Sequence, residues 1–135
     1  MEMKTQITTM KPDYLPDTSK RYAQGMIVSG EKVEWILLSG QVALDANGQP
    51  VAVGDMGGQA DYIFCNIIQL LADAGATTEN VVKINIFITD ISRFSEVAAA
   101  RDLYFTGRKP TSTVVEVNAL IKEEILMEIE VTAVK

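Results

Sequence analysis

The sequence predicts an α+β domain, a two-layer fold in which a mixed β-sheet carries two helices packed on one face. Three observations lead there. β-rich runs cluster toward both ends of the chain, two apolar stripes of helical spacing lie among them, and glycine, proline or Asn-Gly marks the junctions. A length of 135 residues fits one domain spanning 1–135, with residues 1–20 its loosest part, where Pro12 and Pro16 sit among Asp, Ser and Thr.

The elements follow in order. Residues 4–10 have the pattern of an edge strand. Residues 25–29 and 33–39 (VEWILLS), joined by Gly30-Glu31-Lys32, predict a hairpin. A second hairpin is expected from 42–44 and 51–53, with Asn47-Gly48 as its turn. Ile63, Ile67, Leu70, Leu71 and Ala74 recur at spacings of 4, 3, 1 and 3, which predicts a helix over 59–74 capped by Gly75. Residues 81–89 (VVKINIFIT) form a strand with Val82, Ile84, Ile86 and Ile88 on one face and Lys83, Asn85 and Phe87 on the other. Asp90 or Ser92 caps a second helix that runs to about Phe105 and stops at Gly107, with Phe94, Val97, Ala98, Tyr104 and Phe105 as its buried stripe. Residues 111–117 and 125–134 are the last strands. The predicted order is ββββ-α-β-α-ββ, with the edge strand in front.

Two helices cover only one face of a sheet this wide. Yet VEWILLS is apolar on both faces, and Phe87 stands opposite the isoleucines. The second face therefore needs another cover, and the chain has no third layer to supply it. A closed homo-oligomer is the economical solution, with clefts forming between the copies.

Composition excludes several kinds of chemistry. Twelve Lys+Arg against eighteen Asp+Glu give a net charge of −6, which argues against nucleic acid as a partner. The chain has no histidine, which removes Ser-His and Cys-His dyads and His-ligated zinc. Cys65 is the only cysteine, so no internal disulfide or thiolate cage forms; inside a helix without basic neighbours, it reads as core packing. The longest charge-free run, residues 62–72, is too short and polar to span a bilayer, and the start of the chain lacks a signal-peptide run. The expectation is a cytoplasmic protein working without metal, cofactor or membrane.

A few polar residues stand out. Glu128 and Glu130 share one face of the last strand opposite Met127, Ile129 and Val131, and Glu116 sits among valines. For Glu130 the reading is a solvated edge with charged gatekeepers; a carboxylate held at a partly dry interface would instead be a base able to orient water. Ser39-Gly40-Gln41 ends an apolar strand, either as a bulge or as a cradle for a small carboxylate or carbonyl. Arg101 lies on the second helix's apolar stripe and either snorkels to solvent or points its guanidinium at an anion. Arg108 and Lys109 read as loop charges.

Several of these segments resemble the RidA/YjgF family of small trimeric proteins. They are Tyr22-Ala23-Gln24-Gly25, Ser39-Gly40-Gln41, Leu71-Ala72-Asp73-Ala74-Gly75-Ala76, Val81-Val82-Lys83, Phe87-Ile88-Thr89-Asp90, Pro110-Thr111-Ser112-Thr113, Val115-Glu116-Val117 and Glu128-Ile129-Glu130-Val131. They run collinearly over about residues 20–135. The resemblance implies a chorismate-mutase-like trimeric α+β fold and hydrolysis of reactive enamines or imines to a carbonyl compound and ammonia, in clefts between subunits. It implies Glu128 as the water-holding residue, Tyr22 and Ser39 as pocket residues, and a small-molecule metabolite as partner. The family's carboxylate-binding arginine falls on Ser112, and its helix asparagine on Ala98. With Ser112 then shaping the pocket, three outcomes are open: an arginine-less branch acting on a different imine, a cation relocated to Arg101 first and Arg108 or Lys109 next, or a trimer that binds a small molecule without turning it over.

Overall fold

The computed structural model describes residues 6–20 and 23–135. A six-stranded sheet carries two helices. In chain order its elements are β1 (Gln6–Thr9), β2 (Gly25–Ser29), β3 (Glu34–Leu38), α1 (Met56–Asp73), β4 (Val81–Ile88), α2 (Phe94–Tyr104), β5 (Thr111–Glu116) and β6 (Met127–Val134). The strand order is β1-β2-β3-β6-β4-β5. All neighbours are antiparallel except β4 and β5, which are parallel because α2 carries the chain back between them. The sheet is thus mixed, as the sequence predicts.

The core lies between sheet and helices. Ile36 and Leu38 of β3, Ile84, Ile86 and Ile88 of β4, and Met127, Ile129, Val131 and Ala133 of β6 meet Ile63, Phe64, Ile67, Leu70 and Leu71 of α1. Apart from Ala133, each is worth about 1.5–3 kcal/mol when fully removed from water. Phe64 packs against Tyr104 and edge-on to Phe105, tying α1 to the end of α2.

Four expectations need correction. Residues 42–53 do not form a second hairpin. The Asn47-Gly48 turn is present, but the Asp45 side chain takes the amides of Asn47 and Gln49 (2.9 Å each), and only one isolated bridge, Leu44 to Pro50, forms. Pro50 has no N–H to offer a ladder. The first helix starts at Met56, three residues earlier than predicted, because Asp55 accepts from the amide of Gly58 as N-cap. Gly58 permits this approach, since a Cβ there would lie 2.3 Å from an Asp55 carboxylate oxygen. Val82 leaves the isoleucine face: the ladder shifts register between Val81 and Lys83, so Val81 is buried and Val82 exposed. The last strand is central, not an edge, because both β3 and β4 pair with it.

Cys65 also departs from its expected place. It is exposed on α1, and its Sγ lies 3.2 Å from the Tyr104 hydroxyl, which in turn donates to Asp61. A buried polar residue that periodicity did not flag is Gln59, fully enclosed. Its amide nitrogen donates to Glu124 O (2.8 Å) and its amide oxygen accepts from Leu126 N (2.9 Å). It pins the loop before β6 to α1 and satisfies two loop groups that no ladder reaches.

The sheet face turned away from the helices is largely apolar at one end and acidic at the other. Cross-strand register places Ile7, Met26, Val28, Trp35, Leu37 and Val134 together there. Trp35 is 45% exposed, Leu37 43% and Ile7 66%. Further along the same face stand Glu128, Glu130, Asn85 and Phe87.

Candidate functional site

The acidic end of the open face is built by β3, β6 and β4. Past Leu38 the chain leaves the regular ladder for two residues and rejoins β6 where Gln41 and Ile129 exchange two backbone hydrogen bonds, Gln41 N to Ile129 O at 2.7 Å and Ile129 N to Gln41 O at 3.0 Å. Leu37 pairs with Thr132, but Gln41 pairs with Ile129, so one extra residue bulges out. The bulge brings Gly40 against Glu128. A Cβ on Gly40 would lie 2.7 Å from Glu128 Cδ and 2.9 Å from Oε2. Only glycine leaves this much room, and the Glu128 carboxyl occupies it.

Glu128 is half-buried, and among the described residues its carboxyl has no hydrogen-bond partner. Burial pushes its pKa above the ordinary carboxylate value, and the nearby charge of Glu130 adds to the effect. Glu130 is half-buried rather than on a solvated edge, and its Oε1 accepts from Asn85 Nδ2 at 2.8 Å. The two carboxylates of β6 therefore differ: one is tied, and the other is free to bind a proton, a water or a ligand.

Ser39 and Gln41 organise the neighbouring segment. The Ser39 hydroxyl donates to Ala23 O (2.7 Å) and its amide to Gln24 O (2.8 Å). Gln41, buried, donates from Nε2 to Gln24 Oε1 and to Ser39 O, both at 3.1 Å, and Gln24 Nε2 donates on to Pro16 O at 3.2 Å. This chain of amides ties Pro16 and Gln24 to the bulge. Tyr22 lies outside the described residues. A hollow of about 510 Å³ opens between the segment and the bulge, walled by Leu15, Lys20, Gln24, Gly40, Gln41 and Ile121 among others. Sequence reasoning picked out Gln41 and quoted Gln24, but their partnership across seventeen residues has no local signature.

The other expected site residues stand elsewhere. Ser112 is exposed on β5, a free sheet edge, and pairs with Ile84, so it shares the helix-side face; Glu128 pairs with Phe87 on the opposite one. Within one protomer the two do not meet. Arg101 belongs to the helix layer, with its guanidinium 5.7 Å from the centre of the Phe94 ring and its Nε 3.3 Å from Asp102 Oδ1. The sheet separates it from Glu128, so in the single protomer it is not the cation of that face. Arg108 donates to Glu79 O and Lys109 to Phe105 O. Ala98 sits half-buried on α2. Glu116 accepts from the amide of Ile91, capping the turn that leads into α2. No described helix is long and apolar enough to cross a membrane.

Comparison with known proteins bears on the whole domain. The family described as Endoribonuclease L-PSP matches residues 14–135. Protein DfrA of Myxococcus xanthus is 34% identical over 108 residues, 80% of this chain and 81% of that protein. The 2-iminobutanoate/2-iminopropanoate deaminase of Rattus norvegicus is 31% identical over 114 residues, 84% of this chain and 80% of that one. The crystal structure of yeast Mmf1 superposes with a TM-score of 0.84 at 27% identity, covering 96% of this chain and 99% of Mmf1. Two helices on a mixed six-stranded sheet are thus the fold of these neighbours also. The chain belongs to the Endoribonuclease L-PSP family, that of the YjgF/RidA proteins.

Proposed function

We propose that the protein is a homotrimer that hydrolyses a reactive imine or enamine metabolite to a carbonyl compound and ammonia, in clefts between its subunits, with Glu128 positioning the water. The observation that carries this reading is the Glu128 carboxyl: half-buried, raised in pKa, unpaired among the described residues, and seated against Gly40. Water adds to the imine carbon, the nitrogen takes up protons, and ammonia leaves as the carbonyl forms. A carboxyl of raised pKa can accept the water's proton and return it to the departing nitrogen. The name of the rat relative supports the substrate class.

The open sheet face supports the assembly. Trp35, Leu37 and Ile7 are too exposed and too close together for a face that stays in water. Ser112 on its free edge and Glu128 on the open face join one cleft only if two copies contribute. On this reading Ser39 and Tyr22 shape the pocket, Ser112 enters from the neighbour, and Arg101 is left to its own helix. The net charge of −6 and the absence of a basic stripe among the described residues speak against RNA as substrate. A cytoplasmic location is part of the proposal, although one yeast relative, MMF1, is named as mitochondrial.

The replacement of the resembled arginine by Ser112 favours a second reading, a trimer of the same fold that binds a metabolite without turning it over. The deciding experiment follows the loss of enzymatically generated 2-aminoacrylate and of a bulkier 2-imino acid, with wild type and Glu128→Gln side by side. Turnover that falls about a hundredfold or more in Glu128→Gln supports hydrolysis, in the range of general acid–base catalysis. Absence of turnover by wild type on both substrates rejects it in favour of binding.

A further inference from the structure

The reading above leaves open which group meets an anionic substrate, and the cations themselves narrow it. Twelve lysines and arginines, less Lys4 and Arg21 outside the described residues, leave ten. Arg93, Arg101 and Lys135 are held in ion pairs with Glu96, Asp102 and Glu34. Arg108, Lys109 and Lys122 donate to backbone carbonyls. Of the remaining four, Lys32 lies in the turn between β2 and β3, and Lys83 pairs with Thr132, four cross-strand pairs beyond the Glu128–Phe87 pair. Lys11 lines the outer, wider space between residues 9–20 and β2, which Lys20 also borders, and a separate hollow beside Tyr14 and Asp73. Lys20 alone of these cations lines the hollow that Gly40 and Gln41 close.

The hollow suits a small anion with a short apolar tail. Its amides are committed: Gln41 gives both of its amide donors to Gln24 and Ser39, and Gln24 donates to Pro16. Asp17 accepts from the amide of Ser19, fixing the turn that presents Lys20. Leu15, Val42, Leu44 and Ile121 supply the apolar wall. Asp17 and Thr18 also line the hollow, and the Lys20 ammonium, a compact charge on a flexible four-carbon stem, is the cation there that can receive a carboxylate.

We propose that Lys20 binds the carboxylate of a small 2-imino acid in the hollow that Gly40 and Gln41 close. This inference rests on the hydrolytic reading and adds to it a specificity-determining residue. Lys20 touches the substrate's carboxylate and takes no part in proton transfer.

The test measures binding and turnover separately. Calorimetric titration with 2-oxobutanoate, a 2-keto acid of the product class, is carried out on wild type, Lys20→Met, Lys20→Arg and Lys32→Met. Affinity is expected to fall about tenfold or more in Lys20→Met, since a hydrogen bond to a charged group is lost, and to survive in Lys20→Arg and Lys32→Met. In the imine assay the Lys20→Met loss falls on KM, whereas Glu128→Gln lowers kcat. Equal affinity in wild type and Lys20→Met, or no binding by wild type, overturns the anchor. If affinity falls as expected but no protein turns over the imine, hydrolysis fails while the anchor stands. If Glu128→Gln abolishes turnover and Lys20→Met changes neither measurement, the anchor fails while hydrolysis stands.

Discussion

Gly40→Ala offers a way to move one functional group without touching it. The backbone at Gly40 is not in the left-handed region, so alanine is admissible there. Its Cβ, however, would arrive 2.7 Å from Glu128 Cδ and 2.8 Å from Cγ, about 1 Å inside the usual carbon–carbon contact of roughly 3.5–4.0 Å. The obstacle is the end of a flexible side chain, so Glu128 swings aside and the backbone holds. Rotation off a preferred rotamer costs about 0.5–1.5 kcal/mol, and stability in urea should drop by about that much. Turnover should fall much further. A displacement on the order of 1 Å at a positioned group costs about a hundredfold, about 2.7 kcal/mol in barrier at 1.36 kcal/mol per tenfold. The assay is a double-mutant cycle with Glu128→Ala, read by urea unfolding and by imine turnover. Removing the Glu128 side chain should erase the stability cost of Gly40→Ala, because the clash has gone. A stability loss that persists in the Glu128→Ala background refutes the contact as its cause. Turnover by Gly40→Ala within threefold of wild type refutes the claim that glycine is there to seat the carboxyl.

Three further outcomes are expected. The Glu128 carboxyl is raised on folding, so the folded state holds its proton more tightly than the unfolded one; stability from this group is highest below the ordinary value of 4.5 and declines as pH rises through the raised one. Glu128→Gln should therefore be more stable than wild type at pH 8 and lose that advantage near pH 4 in urea titrations; an advantage that is the same at both pH values refutes the burial argument. Gln59→Ala leaves Glu124 O and Leu126 N buried without their partner, at about 1–3 kcal/mol each, and a urea midpoint unchanged from wild type would show that the loop is held by other means. Trp35→Glu places a charge in the middle of the apolar open face, and sedimentation should then move from three times 14.8 kDa toward a single chain; a wild type that already sediments as one chain rejects the trimer.

Legibility in the sequence followed the range of the forces involved. Helices and inner strands were readable because their periodicity is local: Ile63, Ile67, Leu70 and Leu71 declare α1, and Ile84, Ile86 and Ile88 the inner face of β4. The failures had short-range competitors. Pro50 and Asp45 together defeat the hairpin that Asn47-Gly48 advertises, and Asp55 starts α1 three residues ahead of the predicted position 59. The centrality of β6 was not readable, since which strands flank it is decided by pairings with β3 and β4 far away in sequence. The site divided in the same way. Ser39-Gly40-Gln41 is visible as a break in an apolar strand, but nothing local says that Gly40 meets Glu128 eighty-eight positions later (128 less 40) or that Gln41 meets Gln24. Arg101 misled because a helical stripe records which residues line one side of α2, not which side of the sheet α2 lies on.

That distinction governs how a site on this scaffold can be completed. A sheet with helices on one face divides the protomer into two compartments, and polar groups on opposite sides do not meet through it. Among the described strands Lys83 is the one cation, and it shares the face of Glu128, whereas Ser112 stands on the opposite face. Two routes around the sheet remain. The first passes through the bulge, where the missing Gly40 side chain thins the barrier between Glu128 and the hollow that Lys20 lines, within a single chain. The second crosses a free edge, where β5 of one copy can reach the open face of the next. Their demands differ physically. The first needs a bulge without a side chain and survives dilution, because every group belongs to one protomer. The second disappears when the copies separate. Retention of 2-oxobutanoate binding by Trp35→Glu under dissociating conditions, with turnover lost, would assign the anchor to the first route and the chemistry to the second. Simultaneous loss of both would assign the whole site to the interface and leave Lys20 without a role of its own.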